Sequence, residues 1–176
     1  MEQPLIRDIY AQWKDAKQQA QKECENRSLF NMAEKYRVCS MFKGTETLEQ
    51  VLKLFSSPQG IEFCTKRSFP TIEMCRKFKG PTAENLGIYI EEDVKIQNRP
   101  LVILVGNCRA ELEYNIPGER YQVVLMHGAT AHIKASNWAV VFANKDGGGE
   151  AIIEISEHAK VPCVSLFNIY FNMNIF

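Results

Sequence analysis

Residues 121–136 carry the pattern that most constrains the fold. They read Tyr-Gln-Val-Val-Leu-Met-His-Gly-Ala-Thr-Ala-His-Ile-Lys-Ala-Ser, with apolar and polar side chains alternating on both sides of a Gly-Ala corner. Successive side chains of a β-strand point to opposite faces, so the alternation predicts two strands that share a buried face. Looser copies of the pattern lie at 101–114, 137–143 and 152–161. The C-terminal half is therefore predicted to repeat one strand-and-corner unit.

The spacing of the corners favours a solenoid. The corner at Gly106 recurs at Gly128. The corner at Ala129 recurs at Ala159 after a longer interval, which includes a Gly-rich loop. Steps of about 20–30 residues with small residues at the corners are typical of stacked coils. We predict a small β-solenoid, a right-handed parallel β-helix. The alternative is an antiparallel β-sandwich or meander, since closely spaced turn signals fit that fold as well.

Residues 1–86 show helical periodicity instead. Apolar side chains three and four residues apart predict one long amphipathic helix, a second helix and three short helices with a stop at Gly80, as follows: Pro4–Lys22, Leu29–Val38, and helices starting after Thr47, after Ser57 and at Pro70. The polar segment 81–86 is predicted to be a boundary. The chain is thus expected to be α+β, with a helical domain at 1–86 and a β-solenoid-like domain at 87–176 that ends in an aromatic cap.

The helices predicted over 58–66 and 70–79 have the dimensions of a helix-turn-helix. Five basic residues accompany them, which could neutralise phosphates: Lys66, Arg67, Arg76, Lys77 and Lys79. The second helix presents no Asn or Gln that could read adenine. The alternative interpretation is an ordinary helical hairpin with solvated basic side chains.

The C-terminal segment 164–176 is apolar, aromatic and β-prone. If exposed it would promote aggregation, so it is expected to cap the last coil, to pack on the helices or to pair between subunits. A subunit interface would use four aromatic residues: Phe167, Tyr170, Phe171 and Phe176.

Composition excludes some classes of protein. Lys plus Arg and Asp plus Glu each number 21, so no overall charge favours a nucleic-acid or membrane partner. No apolar run approaches the roughly 18 residues of a membrane span. The N-terminus shows no secretory signal, so the six cysteines are expected to be reduced thiols in a cytoplasmic protein.

No catalytic, cofactor-binding or metal-binding residue is predicted. His127 and His132 are expected to point to opposite faces of a strand, so they are poor joint ligands for a metal ion. Only the stacking of coils would bring His127 near His158. Cys163 lies near His158 in sequence, but no oxyanion donor is identifiable. The carboxylates that could line one coil face are expected to be solvated: Glu111, Glu113 and Glu154. Gly147–Gly149 lacks the Lys-Ser/Thr of a phosphate-binding loop and is expected to be a turn.

Three segments carry a resemblance to known sequences: Phe-Pro-Thr-Ile-Glu before the last predicted helix, then Val-Ile-Leu-Val-Gly-Asn and Val-Leu-Met-His-Gly-Ala-Thr-Ala. Together they resemble uncharacterised bacterial and phage-associated proteins with a helical head and a short right-handed β-helix tail. The resemblance covers about Ile61 to Val161. It implies a fold and a mobile-element origin, and it implies no reaction and no active-site residues.

Three functions remain open at this point. The first is a non-enzymatic interaction or structural protein that binds a protein partner or forms a homo-oligomer through its β tail. The second is a DNA-binding regulator that uses residues 58–79. The third is an enzyme that acts on a polysaccharide along the solenoid face. No cofactor is expected for any of them.

Overall fold

A computed structural model describes residues 2–165. The chain divides into two compact units, the first ending at Lys77 and the second beginning at Phe78, and each is described by itself. The boundary predicted at 86/87 marks the change from helical to strand periodicity, whereas spatial contacts group residues 78–86 with the strands.

The first unit is helical, as predicted. Its helices are α1 (Glu2–Asn26), α2 (Phe30–Val38), α3 (Leu48–Phe55), α4 (Pro58–Arg67) and α5 (Ile72–Arg76). Helix α1 runs beyond the predicted end at Lys22. The reason is that the polar segment after Lys22 contains neither Gly nor Pro to stop it, and the chain leaves the helix only near Ser28, whose φ is +59°.

Local capping signals in the sequence are confirmed. Thr47 Oγ1 accepts a hydrogen bond from the Gln50 N–H at 3.3 Å, and Gln50 Oε1 accepts one from the Thr47 N–H at 2.9 Å, which completes the capping box of α3. Ser57 Oγ accepts the Gly60 N–H at 3.1 Å and caps α4, with Pro58 in the first turn.

The helix predicted over 70–79 is wrong in its bounds. It was predicted to open at Pro70 and run to Lys79, but α5 has only five residues, with Thr71 as its N-cap and Lys77 as its C-cap. Residues 81–86, which were predicted to be a boundary, contain helix α6 at Pro81–Asn85. Pro81 favours the first turn of a helix, and Gly80 supplies a φ of +143° before it.

The core of the helical unit is built on aromatic rings in edge contact. Trp13 of α1 and Phe42 lie 5.9 Å apart between ring centroids, and Phe42 and Phe55 also lie 5.9 Å apart at an interplanar angle of 89°. Phe55 then contacts Phe69 at 5.2 Å. Edge-to-face pairs at these distances are favourable, so one continuous aromatic cluster joins α1 to the later helices of this unit.

The second unit is a β-solenoid of about three turns. Its strands are β1 (Ile88–Ile90), β2 (Val94–Gln97), β3 (Leu101–Val105), β4 (Arg109–Tyr114), β5 (Arg120–Met126), β6 (Thr130–Ala135), β7 (Val140–Lys145), β8 (Glu150–Ile155) and β9 (Cys163–Ser165). Odd-numbered strands form sheet A and even-numbered strands form sheet B, and every strand pair is parallel. The predicted solenoid is confirmed, and the antiparallel alternative is wrong. The right-handed sense of the coil stays a prediction.

The length of one coil follows from the pairing of strands in sheet A. Val102 pairs with Val123, and Val123 pairs with Ala143, so each coil returns the chain to the same sheet position after about 20 residues. The predicted step from Ala129 to Ala159 is wrong as a repeat, because these residues occupy opposite corners. Ala129 precedes β6 in sheet B, whereas Ala159 lies between β8 and β9 and precedes the return to sheet A.

The space between the two sheets is filled by the inward side chains of every strand. Leu112 of β4 and Ile133 of β6 are neighbours in sheet B, and Leu104 and Leu125 are neighbours in sheet A. All four are fully buried. The alternation in the sequence is therefore the alternation of core and surface, as sheets packed face to face require.

Left-handed backbone at the corners explains one misplaced strand. A strand was predicted to start at Trp138, but β7 starts at Val140. Asn137 and Trp138 have φ values of +51° and +64°, and the next corner on the same side repeats this at Glu157 and His158. Only glycine adopts such φ values freely, and no glycine marks either corner. No local signal therefore indicates that the strand is interrupted there.

Asp146 holds the corner between β7 and β8 together. Its Oδ1 accepts the N–H groups of Gly148 and Gly149 at 3.0 Å each, and its Oδ2 accepts the His127 N–H at 2.8 Å. Asp146 is buried, so its carboxylate has little contact with water. It stabilises the corner through these three hydrogen bonds to backbone N–H groups. One side chain thus ties a corner to the equivalent corner of the preceding coil.

Replacing Asp146 by alanine is expected to lower the free energy of unfolding by about 2 kcal/mol, because three backbone donors lose a charged acceptor. The matched control is Asp93→Ala. The exposed Asp93 carboxylate accepts a single backbone bond, from Arg109 at 3.0 Å, so its removal should cost about 0.5 kcal/mol. Urea unfolding followed by circular dichroism compares the two. Equal losses would contradict the structural role given to Asp146.

Candidate functional site

The residues predicted to contact nucleic acid are mostly paired with acidic groups. Lys66 on α4 pairs with Glu62, and Arg67 pairs with Glu23 at 2.6 Å. Lys77 lies 3.8 Å from Asp8. Lys79, which belongs to the second unit, lies 3.8 Å from Glu92 and donates to the Glu91 carbonyl at 3.0 Å. Arg76 is the exposed last residue of α5.

This pairing weakens the case for phosphate binding. A carboxylate beside each of these four cations must be displaced before a phosphate can take its place, which reduces the gain from neutralising the phosphate. Helix α5 also has only five residues, which leaves little surface to enter a major groove. Nucleic-acid binding stays a prediction.

The outward face of sheet B holds the carboxylates that were considered for polysaccharide chemistry. Glu111 and Glu154 are interleaved with basic side chains: Lys95 Nζ lies 2.9 Å from Glu111, and His132 Nε2 lies 2.7 Å from Glu154. The hydrogen bond from Lys95 lowers the pKa of Glu111. A carboxyl group with a lowered pKa is a poor proton donor near neutral pH. Glu113 stands in the next row, between Gln97 and Lys134.

The three histidines lie apart in the solenoid. His127 is at the corner before β6, whereas His158 is at the opposite corner before β9, so coil stacking does not bring them together. His158 stacks on Trp138 with ring centroids 4.5 Å apart. Within residues 2–165 there is no group of three or more His, Cys, Asp or Glu side chains that could hold a metal ion.

The buried thiols are poor nucleophiles. Burial raises the pKa of Cys75 to about 12, and burial also raises the pKa of Cys64. Because the thiolate is the reactive form, both side chains act as small apolar core residues. Cys163 is exposed on β9, whereas Cys108, the other cysteine of the solenoid, is buried.

The strongest candidate site is the last coil of the solenoid. Its inward positions are half-buried or exposed, and we call them the open end: Ala151, Ile153 and Val161 are half-buried, and Ile155 and Cys163 are exposed. The equivalent positions one coil earlier are buried. Ala135 is 2% exposed whereas its neighbour Ile155 is 53% exposed, and Ala143 is 1% exposed whereas its neighbour Cys163 is exposed. In the described part of the chain, β8 and β9 are also the last strands of their sheets.

The open end has two properties of a binding surface. It presents apolar side chains, and it presents the edges of two parallel strands, β8 and β9, whose outer N–H and C=O groups pair with no other strand within residues 2–165 and are templates for pairing with further chain. Two more exposed apolar side chains lie close by, Ile152 on β8 and Phe142 on β7 of the preceding coil. The aromatic residues predicted to form an interface, Phe167, Tyr170, Phe171 and Phe176, lie outside the described residues.

Sequence reasoning missed the residues of the open end. Their side chains follow the same alternation as those of earlier coils, so the pattern marks them as core. What distinguishes them is that no following coil lies on them among residues 2–165, which depends on strand order. The signal that could have found them is the regular spacing of the corners, which shows where each coil stops.

Comparison with known proteins assigns no family. No protein-family model matches the chain, and neither a curated protein nor a solved structure shows significant similarity to it. Among the described residues, no helix combines the length and the apolar character that crossing a membrane requires.

Proposed function

We propose that the protein is a non-enzymatic interaction protein that binds a second copy of itself through the C-terminal end of its solenoid. The observation that carries this proposal is the exposure of inward positions in the last coil, above all Ile155 and Cys163, next to buried equivalents in the coil before. Covering these positions removes apolar surface from water, which is the main driving force for association.

The geometry of the edges favours a symmetric pair. Two identical ends that meet around a two-fold axis bring the same edge strand of each copy together in antiparallel orientation. Antiparallel pairing of two edges satisfies the N–H and C=O groups that β9 leaves unpaired in the described chain. The predicted interface residues Phe167, Tyr170, Phe171 and Phe176 follow β9 directly in the sequence and so begin at this end.

A lysine at position 163 is expected to dissociate the pair. Cys163→Lys places a positive charge at the associating end of each copy, and the two charges would be buried facing each other. Juxtaposed like charges cost several kcal/mol, so the dissociation constant should rise at least about tenfold. Light scattering over a concentration series measures it.

Two controls accompany this variant. Cys163→Ser keeps the size and neutrality of the side chain, should preserve association and excludes a disulfide as its cause. Ile116→Lys puts the same charge at a corner two coils earlier, where Ile116 is 43% exposed. A wild-type protein that remains monomeric at high concentration would refute the proposal, and so would equal weakening by the two lysine variants.

The cellular setting is part of the proposal. All six cysteines are free thiols, which supports a location in a reducing compartment such as the cytoplasm. The resemblance to phage-associated proteins supports a mobile-element origin. The genes that neighbour the coding sequence test that origin, since phage structural genes would agree with it and a housekeeping operon would not.

A further inference from the structure

Helix α1 and the segment that follows α2 enclose a groove in the helical unit. The groove has a volume of about 740 Å³, which is within the range of sites that hold small molecules. One wall is formed by residues 10–21 of α1 and the other by residues 37–43. All of these residues belong to the first compact unit, so the groove lies within that unit.

Both walls of the groove are fixed by contacts within the unit. Trp13 and Phe42 are buried, and their ring centroids lie 5.9 Å apart. On the segment after α2, the Glu46 carboxylate accepts the backbone N–H groups of Lys43 at 2.9 Å and of Gly44 at 2.8 Å. A site whose walls are already ordered loses less conformational entropy when a ligand binds.

The lining of the groove is mainly positive. Its basic side chains are Lys14, Lys17, Arg37 and Lys43, and among the described residues Asp15 is its one carboxylate. Arg37 is already paired with Glu34, which leaves the three lysines. Within residues 2–165 none of these lysines forms an ion pair with a carboxylate, so an anion would not have to displace one.

Two of the lysines are positioned in advance of any ligand. Lys14 and Lys17 are three residues apart on α1 and therefore share one helix face. Lys17 Nζ donates to the Cys39 carbonyl at 3.0 Å and lies 4.9 Å from the centroid of the Trp13 ring. Lys14 Nζ lies 4.9 Å from the centroid of the Tyr10 ring. An ammonium group has three N–H donors, so Lys17 keeps two of them for a ligand.

We propose that this groove binds a small anion that carries a chain of phosphoryl groups, through Lys14, Lys17 and Lys43. Lysine is a common phosphate ligand because its compact charge imposes no bidentate geometry on the bond. Ammonium groups on two facing walls attract an anion with several charges more strongly than an anion with one. The basic residues at 66–79 differ, because most of them must first release a carboxylate.

A free polyphosphate and a nucleoside polyphosphate share this chemistry. Val38 lines the groove and is 62% exposed, so the second of these ligands would find an apolar side chain beside the lysines. The inference goes beyond the proposed function, because it concerns residues 10–43, whereas self-association concerns the last coil of the solenoid. Light scattering without any anion tests association, so the two proposals can fail independently.

Isothermal titration calorimetry with sodium tripolyphosphate at low salt tests the site. We expect a dissociation constant below about 1 mM, which Lys17→Gln raises about tenfold because a charged hydrogen-bond donor is lost. Glutamine keeps the helix propensity of lysine. The matched control is Lys22→Gln, since Lys22 is exposed on the same helix and does not line the groove.

Two further variants sharpen the test. Lys43→Gln removes a charge from the opposite wall and should also weaken binding about tenfold, which covers the case that Lys17→Gln fails to fold by circular dichroism. Asp15→Asn removes the opposing charge and should tighten binding roughly two- to fivefold. A loss of structure would not tighten binding, so this variant separates a contact with the anion from a role in folding.

Tryptophan fluorescence locates the bound anion. The protein has two tryptophans, and in a Trp138→Phe background the emission comes from Trp13 alone. An anion on Lys17 changes the charge next to the Trp13 ring, so the emission should change over the same concentration range as the heat of binding.

A parallel titration with ATP, without magnesium, distinguishes the two sources of the ligand. Tighter binding of ATP than of tripolyphosphate assigns a nucleoside polyphosphate, and equal or weaker binding assigns a free polyphosphate. Three results would overturn the inference: no binding of either anion at about 1 mM, equal weakening by Lys17→Gln and Lys22→Gln, or binding that leaves the Trp13 emission unchanged.

Discussion

Replacing Gly87 by alanine is expected to lower the free energy of unfolding of the solenoid unit by about 2–5 kcal/mol, the sum of a backbone cost and a steric cost. Gly87 has a φ of +83°, which costs a residue with a Cβ roughly 1–2 kcal/mol. An added Cβ would also lie 2.3 Å from the Leu101 carbonyl oxygen, which is backbone and cannot turn away. Relieving such an overlap shifts the backbone and adds about 1–3 kcal/mol.

The matched control for this variant is Gly118→Ala. Gly118 has a similar φ of +75°, but an added Cβ would meet no atom within 4 Å. Only the backbone cost remains, so a loss of about 1 kcal/mol is expected. Chemical unfolding followed by far-ultraviolet circular dichroism gives both values. Equal losses of unfolding free energy in the two variants would contradict the close approach of β1 to β3 at Gly87.

Replacing Ile133 by alanine is expected to lower the free energy of unfolding by about 2–5 kcal/mol, the range for truncating a buried aliphatic side chain. Ile133 is fully buried between the sheets and pairs with Leu112 and Ile153 in neighbouring strands. The parallel strands on both sides of β6 hold the neighbouring side chains in place, so the cavity left by the truncated side chain cannot collapse easily.

Ile152→Ala is the control on the adjacent strand, with the same chemical change. Ile152 points outward and is 68% exposed, so its truncation should change the free energy of unfolding by less than about 0.5 kcal/mol. Thermal or urea unfolding of both variants measures the difference. A loss at Ile152 as large as that at Ile133 would mean that the inward and outward faces of sheet B had been reversed.

Local features of this fold could be predicted from the sequence. The caps at Thr47 and Ser57 were predicted because a helix start depends on residues within one turn of it. The strands of the solenoid were predicted because alternation is a property of each strand alone. The predictions failed where a remote contact decides the local backbone, as at Trp138, whose left-handed corner is joined by its N–H to the Glu157 carbonyl one coil later.

The candidate site was harder to predict than the fold. Ile155 has the same alternation as Ile133, and only the order of strands in sheet B shows that one is covered on both sides and the other is not. The basic residues from Lys66 to Lys79 stood out in the sequence because Glu73 is the lone acidic residue among them. Two of their partners, Glu23 and Asp8, lie on α1, far along the chain and beyond the reach of any local pattern.

By itself the sequence determined which half of the chain is helical and which half is strand-forming, and which side of most strands is apolar. These properties follow from side-chain chemistry and backbone preference over a few residues. Only the tertiary structure decided that the strands stack in parallel, which residues of successive coils lie side by side and that, within residues 2–165, the inward side of the last coil is incompletely buried. The physical reason is that burial depends on which strand lies next to a residue. That neighbour is set by the packing of one coil on another and not by the residue's own position in the pattern.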